Sequence, residues 1–184
     1  MYFKMRKDII KEIEVPKEME AEVKGREIKI KKGDKEICKN IPMSIKKNEN
    51  KIIINVKKAT KNEKKLIGTT ASIIKNMISG LNEDFVYKLK ICSVHFPMNV
   101  TIENGKVMIK NFLGETKPRV VKVLEEADVK IEGDVIEVKS SDKEIAGQMA
   151  ADIEAATKVK KRDRRIFQDG IYMTEKAGRE IWSF

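Results

Sequence analysis

Histidine is nearly absent from this sequence: His95 is the one example in 184 residues. A multi-histidine metal site is therefore excluded within one chain, and no catalytic triad is expected. The histidine itself lies in Ser93-Val94-His95-Phe96-Pro97, where it is expected to pack or hydrogen-bond at a strand end. Cysteine is almost as scarce. Cys38 and Cys92 form no C-x-x-C pair and have no adjacent histidine, so they are expected to be free, packed thiols in a reducing compartment. Aromatic residues make up only 5% of the chain against 41% apolar residues in all, so the interior must be built from Ile, Val, Leu, Met and Ala. No run approaches the roughly 20 apolar residues of a membrane span. The opening residues hold no apolar run of signal-peptide length, and a cytoplasmic location is expected. Phosphate-binding loops of the G-x-x-x-x-G-K-[ST] and G-x-G-x-x-G kinds are missing as well. Carboxylates are plentiful, but Glu125-Glu126 and Asp142/Glu144 stand in charged or capping contexts. No catalytic residue, metal or cofactor is expected.

What the chain does contain is positive charge. Lys and Arg total 39 against 29 Asp and Glu, a formal charge of +10. Such an excess concentrates polyanions near the surface, although a solvated Lys-rich surface fits the net charge equally well. Position separates the two readings. Lys158-Val159-Lys160-Lys161-Arg162-Asp163-Arg164-Arg165 packs six cations and one anion into eight residues, and three of the seven arginines in the chain are there. The guanidinium fork suits phosphate oxygens. Phe167 and Tyr172 follow at once, and Trp182 and Phe184 end the chain, all offering faces for base stacking or for docking. A smaller basic set comprises Lys106, Lys110, Lys117 and Arg119, which a charged strand face explains almost as well.

The organisation is set by an internal repeat at a spacing of roughly 80 residues. Val15-Pro16 matches Phe96-Pro97, Val23-Lys24-Gly25 matches Ile102-Glu103-Asn104-Gly105, Gly33 matches Gly114, and Ile52-Ile53-Ile54-Asn55-Val56 matches Val135-Ile136-Glu137-Val138. Alternating apolar residues flank Gly25 and Asn104-Gly105, the pattern of a tight hairpin. Thr60-Lys61-Asn62-Glu63 and Ser141-Asp142-Lys143-Glu144 fit the capping box that starts a helix. After the first box, Leu66, Ile67, Ala71, Ile74 and Ile78 share a helical face, with Gly80 as the stop. After the second, Ile145, Met149, Ile153 and Ala156 do the same. Gly68 and Gly147 fall inside these helices at a cost of about 1 kcal/mol each relative to Ala, which close approach of helix to sheet would account for. Residues 84–92 alternate as a strand. The chain is therefore expected to be α+β, a tandem duplication of a small antiparallel-sheet-plus-helix domain: residues 1–81, residues 82–165, and a C-terminal tail over 166–184.

Three segments of the second half carry a resemblance to a known family. Ser93-Val94-His95-Phe96-Pro97-Met98-Asn99-Val100, Asn111-Phe112-Leu113-Gly114-Glu115 and Arg162-Asp163-Arg164-Arg165-Ile166-Phe167-Gln168-Asp169-Gly170-Ile171-Tyr172 together resemble the large-subunit ribosomal protein L6 family in its archaeal and eukaryotic form. The resemblance implies a duplicated, non-enzymatic structural constituent of the large ribosomal subunit. It would bind rRNA near the stalk base and the factor-binding region, beside other ribosomal proteins and within reach of translation factors. It also implies that the second domain makes the main rRNA contacts, through Lys158, Lys160, Lys161, Arg162, Arg164 and Arg165, with Lys117 and Arg119 added and with Phe167 and Tyr172 docking on RNA or on the protein. A two-domain protein-interaction module without RNA binding is the alternative.

Overall fold

A computed structural model describes residues 8–48 and 51–181; Trp182 and Phe184, singled out above as stacking faces, lie outside the described residues. The chain divides into two compact units between Glu83 and Asp84, two residues beyond the expected boundary.

In the first unit, strand β1 (Ile9–Glu14) is followed by a meander of β2 (Glu20–Lys24), β3 (Glu27–Lys32) and β4 (Lys35–Asn40), then β5 (Lys46–Asn48), β6 (Lys51–Val56) and helix α1 (Lys61–Asn82). Hydrogen bonding gives two antiparallel three-stranded sheets, β1-β6-β5 and β2-β3-β4. Period-two alternation turns Ile28 and Ile30 of β3 and Ile52 and Ile54 of β6 inward, where all four are fully buried beside Ala71 and Ile74 of α1. β1 was not anticipated. Its outward Ile10 is 61% exposed, and an apolar residue on both faces hides a strand from the alternation rule.

The second unit repeats this order. β7 (Phe85–Cys92), the meander β8 (Asn99–Glu103), β9 (Lys106–Lys110) and β10 (Arg119–Lys122), then β11 (Asp128–Glu132), β12 (Val135–Ser140) and helix α2 (Lys143–Ala156) stand where β1 to β6 and α1 stand in the first. The pairing repeats too: β12 joins β7 antiparallel as β6 joins β1. The α+β duplication read from the sequence is the fold. Asn104 (φ 50°) and Gly105 (φ 69°) both take the left-handed conformation of a two-residue hairpin turn. The second core gathers Leu89, Val107, Ile109, Phe112, Ile136 and Met149, each fully buried.

Two differences between the units shape the loops of the second. Gly33-Asp34 turns β3 into β4, whereas β9 and β10 are joined by a longer loop, residues 111–118, with a 3-10 turn at Phe112–Gly114. The second difference corrects the expected C-terminal tail. Residues Gly170–Lys176 form β13, which pairs antiparallel with the outer edge of β7 (Gly170 opposite Cys92, Ile171 opposite Ile91), and β14 (Arg179–Glu180) closes a hairpin on it. The second sheet therefore runs β11-β12-β7-β13-β14.

Both helix starts are capped, differently. Thr60 and Glu63 make the reciprocal box, Glu63 N donating to Thr60 Oγ1 at 3.3 Å and Thr60 N to Glu63 Oε2 at 2.6 Å. At α2 the cap is Asp142 rather than Ser141: the Asp142 carboxylate accepts from Glu144 N at 2.9 Å, and Ser141 Oγ donates to Asp84 at 2.8 Å. Helix α1 runs through Gly80, the expected stop, to Asn82, and buries Thr70, Met77 and Leu81 while Leu66 is exposed. Cys38 is exposed, contrary to the expected packing, with its Sγ donating to Glu27 at 3.2 Å.

The two helix glycines serve different ends. A Cβ on Gly147 would lie 3.2 Å from the hydroxyl of Tyr87, a strand residue 2% exposed, so close approach of helix to sheet explains that glycine. A Cβ on Gly68 would meet nothing. We predict that Gly68→Ala stabilises the protein by about 0.5–1 kcal/mol through helix propensity. Gly147→Ala should lose stability, because displacing the buried Tyr87 ring costs about 1–3 kcal/mol. Denaturant melts of the two variants check this opposition of sign.

Candidate nucleic-acid interface

The loop after α2 begins at a crowded helix end. Thr157, 3% exposed, donates from Oγ1 to Glu154 O and accepts from Ile171 N at 2.8 Å, tying the start of β13 to the last turn of α2. No cation lies in that last turn. The positive charge that meets its carbonyls comes from β10: Arg119 Nη1 donates to Ala156 O at 2.6 Å. The rest of the Arg119 guanidinium forms a two-pronged pair with Glu115 (2.8 and 2.5 Å), and its centre sits 4.2 Å above the Phe112 ring. The Arg119 pair, against an opposing push from burial, holds the Glu115 carboxyl below its ordinary pKa. Arg119, expected as a phosphate contact, is thus engaged at all three nitrogens inside the second unit.

Asp169 performs the larger task. Its carboxylate is buried, 2% exposed, and accepts from Val94 N at 2.6 Å, His95 N at 2.8 Å and the His95 ring at 2.5 Å through Nδ1. Burial by itself would push the Asp169 carboxyl up, but these hydrogen bonds outweigh it and hold the group below its ordinary value. The hydrogen-bonding role expected of His95 is therefore met by a residue 74 positions away. The ring of His95 stacks on Phe167 with centroids 5.0 Å apart, and the guanidinium of Arg162 lies 4.8 Å from the Phe167 centroid on the same ring system. Phe167 is thereby docked on the protein.

A third loop joins these two. Asn111 Nδ2 donates to Pro97 O at 2.9 Å, and Gly114 (φ 79°) packs where an added Cβ would touch the Phe96 ring at 3.7 Å. The loops 93–98, 111–118 and 157–169 are therefore contiguous, and they hold most of the three segments on which the family resemblance rests, the first running on into β8 and the third into β13.

The cations project from this framework. Lys158, Lys160, Lys161, Arg162, Arg164 and Arg165 are all exposed, as is Lys117. Among the described residues, Lys158, Lys160, Lys161, Arg164 and Lys117 have no ion-pair partner, whereas Arg165, its side chain 90% exposed, pairs with Asp163 at 2.8 Å. Lys161 takes a left-handed backbone (φ 57°), which turns the chain in the middle of the run. Of the remaining basic set, Lys110 pairs with Glu103 at 3.3 Å and Lys106 is exposed. Tyr172 is 41% exposed, its hydroxyl donating to Gln168 O at 2.9 Å. Sequence reasoning missed Asp169 and Thr157, whose partners lie far away along the chain, and Glu115, whose i,i+4 spacing to Arg119 was the one local signal available.

Among the described residues no group of His, Cys, Asp and Glu could hold a metal ion, and no helix is long and apolar enough to cross a membrane.

The family model for ribosomal protein L6 matches residues 96–170, which takes in most of the three loops. A large ribosomal subunit protein uL6 from Methanococcus vannielii is 46% identical over 94% of this chain and 97% of its own length. Those from Methanocella arvoryzae and Methanothrix thermoacetophila are 40% and 37% identical, each over 94% of this chain and essentially all of their own length.

Asp169→Ala removes a charged acceptor from three donors and should cost about 2 kcal/mol or more, since hydrogen bonds to charged groups contribute about 1.5–3 kcal/mol each. His95→Ala, which leaves both backbone donors in place, should cost less than half as much. Because the folded carboxyl is held below its ordinary value, the contribution of Asp169 is fully present above about pH 4 and fades as pH falls through the depressed value. The gap between wild type and Asp169→Ala in urea midpoint should therefore narrow on acidification below about pH 4.

Proposed function

The chain belongs to the ribosomal protein L6 family, and from that premise we propose that it is a non-catalytic constituent of the large ribosomal subunit whose second unit binds rRNA near the stalk base and the factor-binding region. The observation that carries the reading is the anchored loop 157–169, which presents Lys158, Lys160, Lys161 and Arg164 without ion-pair partners. Like charges at this density repel one another, and a phosphate backbone neutralises them with release of counterions. Arg162 and Arg165 add to the same surface from partly engaged positions, and Lys117 extends it from the neighbouring loop. Arg119 acts one step back, holding loop 111–118 and the end of α2 in place. Recognition of this kind reads phosphate position and RNA shape rather than a base code. Other ribosomal proteins and translation factors are the remaining neighbours that family membership implies.

A salt titration of binding to a large-subunit rRNA fragment tests the proposal. The logarithm of affinity should fall linearly with the logarithm of salt, with a slope of about −0.7 to −0.9 per phosphate neutralised. Lys160→Ala, Lys161→Ala and Arg164→Ala combined should flatten that slope by about 2 units while leaving the melting temperature within a degree or two, since none of the three has a partner to lose. A slope near zero for the wild type, or an unchanged slope in the triple variant, would overturn the assignment.

A further inference from the structure

The aromatic beside the loop that keeps much of its surface exposed is Tyr172, at the start of β13. Its ring is nonetheless held still. An added Cβ on Gly170 would lie 3.2 Å from both the Cζ and the hydroxyl of Tyr172, so the ring lies across the bare glycine two residues earlier on the same strand face. The hydroxyl is anchored on Gln168 O. A rigid aromatic with 41% of its surface exposed is a stacking platform whose ordering cost is met before any ligand arrives.

The ring borders two cavities. One, of about 350 Å³, is shared with Lys158, Arg164, Phe167, Ile171 and Glu154, and it lies at the low end of the roughly 300–1,000 Å³ of small-molecule pockets, room for a single planar ring system. The other, of about 420 Å³, runs along Cys92, Val94, Met173 and Thr174. The first has the composition a nucleotide needs: an aromatic edge, apolar walls and two cations without ion-pair partners. Its one carboxylate, Glu154, repels phosphate but accepts a hydrogen bond from an amino group; Oε1 already receives a long one, 3.4 Å, from Met173 N. A phosphate filling the cavity is therefore disfavoured, whereas a base inside with its phosphate on the cations satisfies every group.

We propose that this cavity takes one unstacked nucleobase of the bound RNA, a base carrying an exocyclic amine, which stacks on Tyr172 while Lys158 and Arg164 hold its phosphate. The inference rests on the rRNA-binding reading and adds one base-reading position to a surface that otherwise reads backbone.

Chemical probing of a large-subunit rRNA fragment with the full-length protein should find one A, C or G whose base edge is protected by wild type and becomes reactive with Tyr172→Leu. Stacking losses of this kind are expected to weaken binding about tenfold, with the salt slope unchanged because no cation is removed; Tyr172→Phe, which keeps the ring, should bind within about twofold of wild type. Replacing the protected nucleotide by an abasic one should weaken wild-type binding by a similar factor and leave the Leu variant unaffected, a coupling that stands even if Tyr172→Leu perturbs β13, since the abasic RNA against wild type reads it alone. Steep, salt-dependent binding by wild type with no protected base, or with no effect of the abasic site, overturns the base subsite and spares the rRNA-binding reading. A wild type that fails to bind the fragment overturns both.

Discussion

A single buried carboxylate organises the cation-bearing end of the second unit. Asp169 gathers two successive backbone N–H groups and an imidazole from the loop after β7, and in doing so fixes where β13 begins. That fixes the far end of loop 157–169, whose near end Thr157 already holds against α2. A loop that bears six cations in eight residues would by itself fluctuate through mutual repulsion. Anchored at both ends and propped in the middle by the His95-Phe167-Arg162 stack, it offers its charges in a set arrangement. The entropy of ordering is thus lost on folding and would not have to be lost again on binding a ligand.

The duplication makes the specialisation legible by internal comparison. The two units share strand order, pairing and helix placement, so the sheet-plus-helix scaffold alone does not account for the cationic loop. What the second unit adds is the longer β9–β10 loop and the segment after α2, and these additions depend on each other. Arg119, at the end of the longer loop, supplies the positive charge that the last turn of α2 lacks, and β13 covers the β7 edge whose register places Gly170 opposite Cys92. Within the first unit, β1 has one strand partner, β6, among the described residues.

Local chemistry was readable and long-range chemistry was not. Asn104-Gly105 specifies a hairpin because both residues tolerate positive φ, and Thr60 with Glu63 specifies a helix start because the two groups lie one turn apart. The repeat itself was visible because turn residues are constrained by backbone geometry rather than by neighbours. The cap of α2 shifted by one residue because Ser and Asp stand side by side, both competent, and Ser141 is drawn off to Asp84. Gly80 did not stop α1, because it does not take the positive φ of a C-terminal glycine cap and the helix runs on to Asn82. The strand nature of 170–176 escaped because the pairing that orders it is with β7, some 80 residues earlier, and no period in the sequence reports such a partner. Arg119 illustrates the same limit: as a cation near Lys117 it resembles a phosphate ligand, and only the fold shows Glu115 and Ala156 O already occupying it.

The division between engaged and unengaged cations also weighs against a protein partner for this surface. Arg119 and Arg165 have carboxylate partners, and Arg162 has an aromatic one; what is left over is mostly lysine. Protein–protein interface cores are depleted in lysine and enriched in aromatics and arginine, because an ammonium on a flexible stem is costly to desolvate and order. A phosphate backbone imposes no such desolvation, since it meets the ammonium at the edge of solvent as a point charge and gains from every counterion released. The surface therefore divides by chemistry: Arg119, Arg162 and the one histidine brace the loops, and the lysines, with Arg164, are left without ion-pair partners.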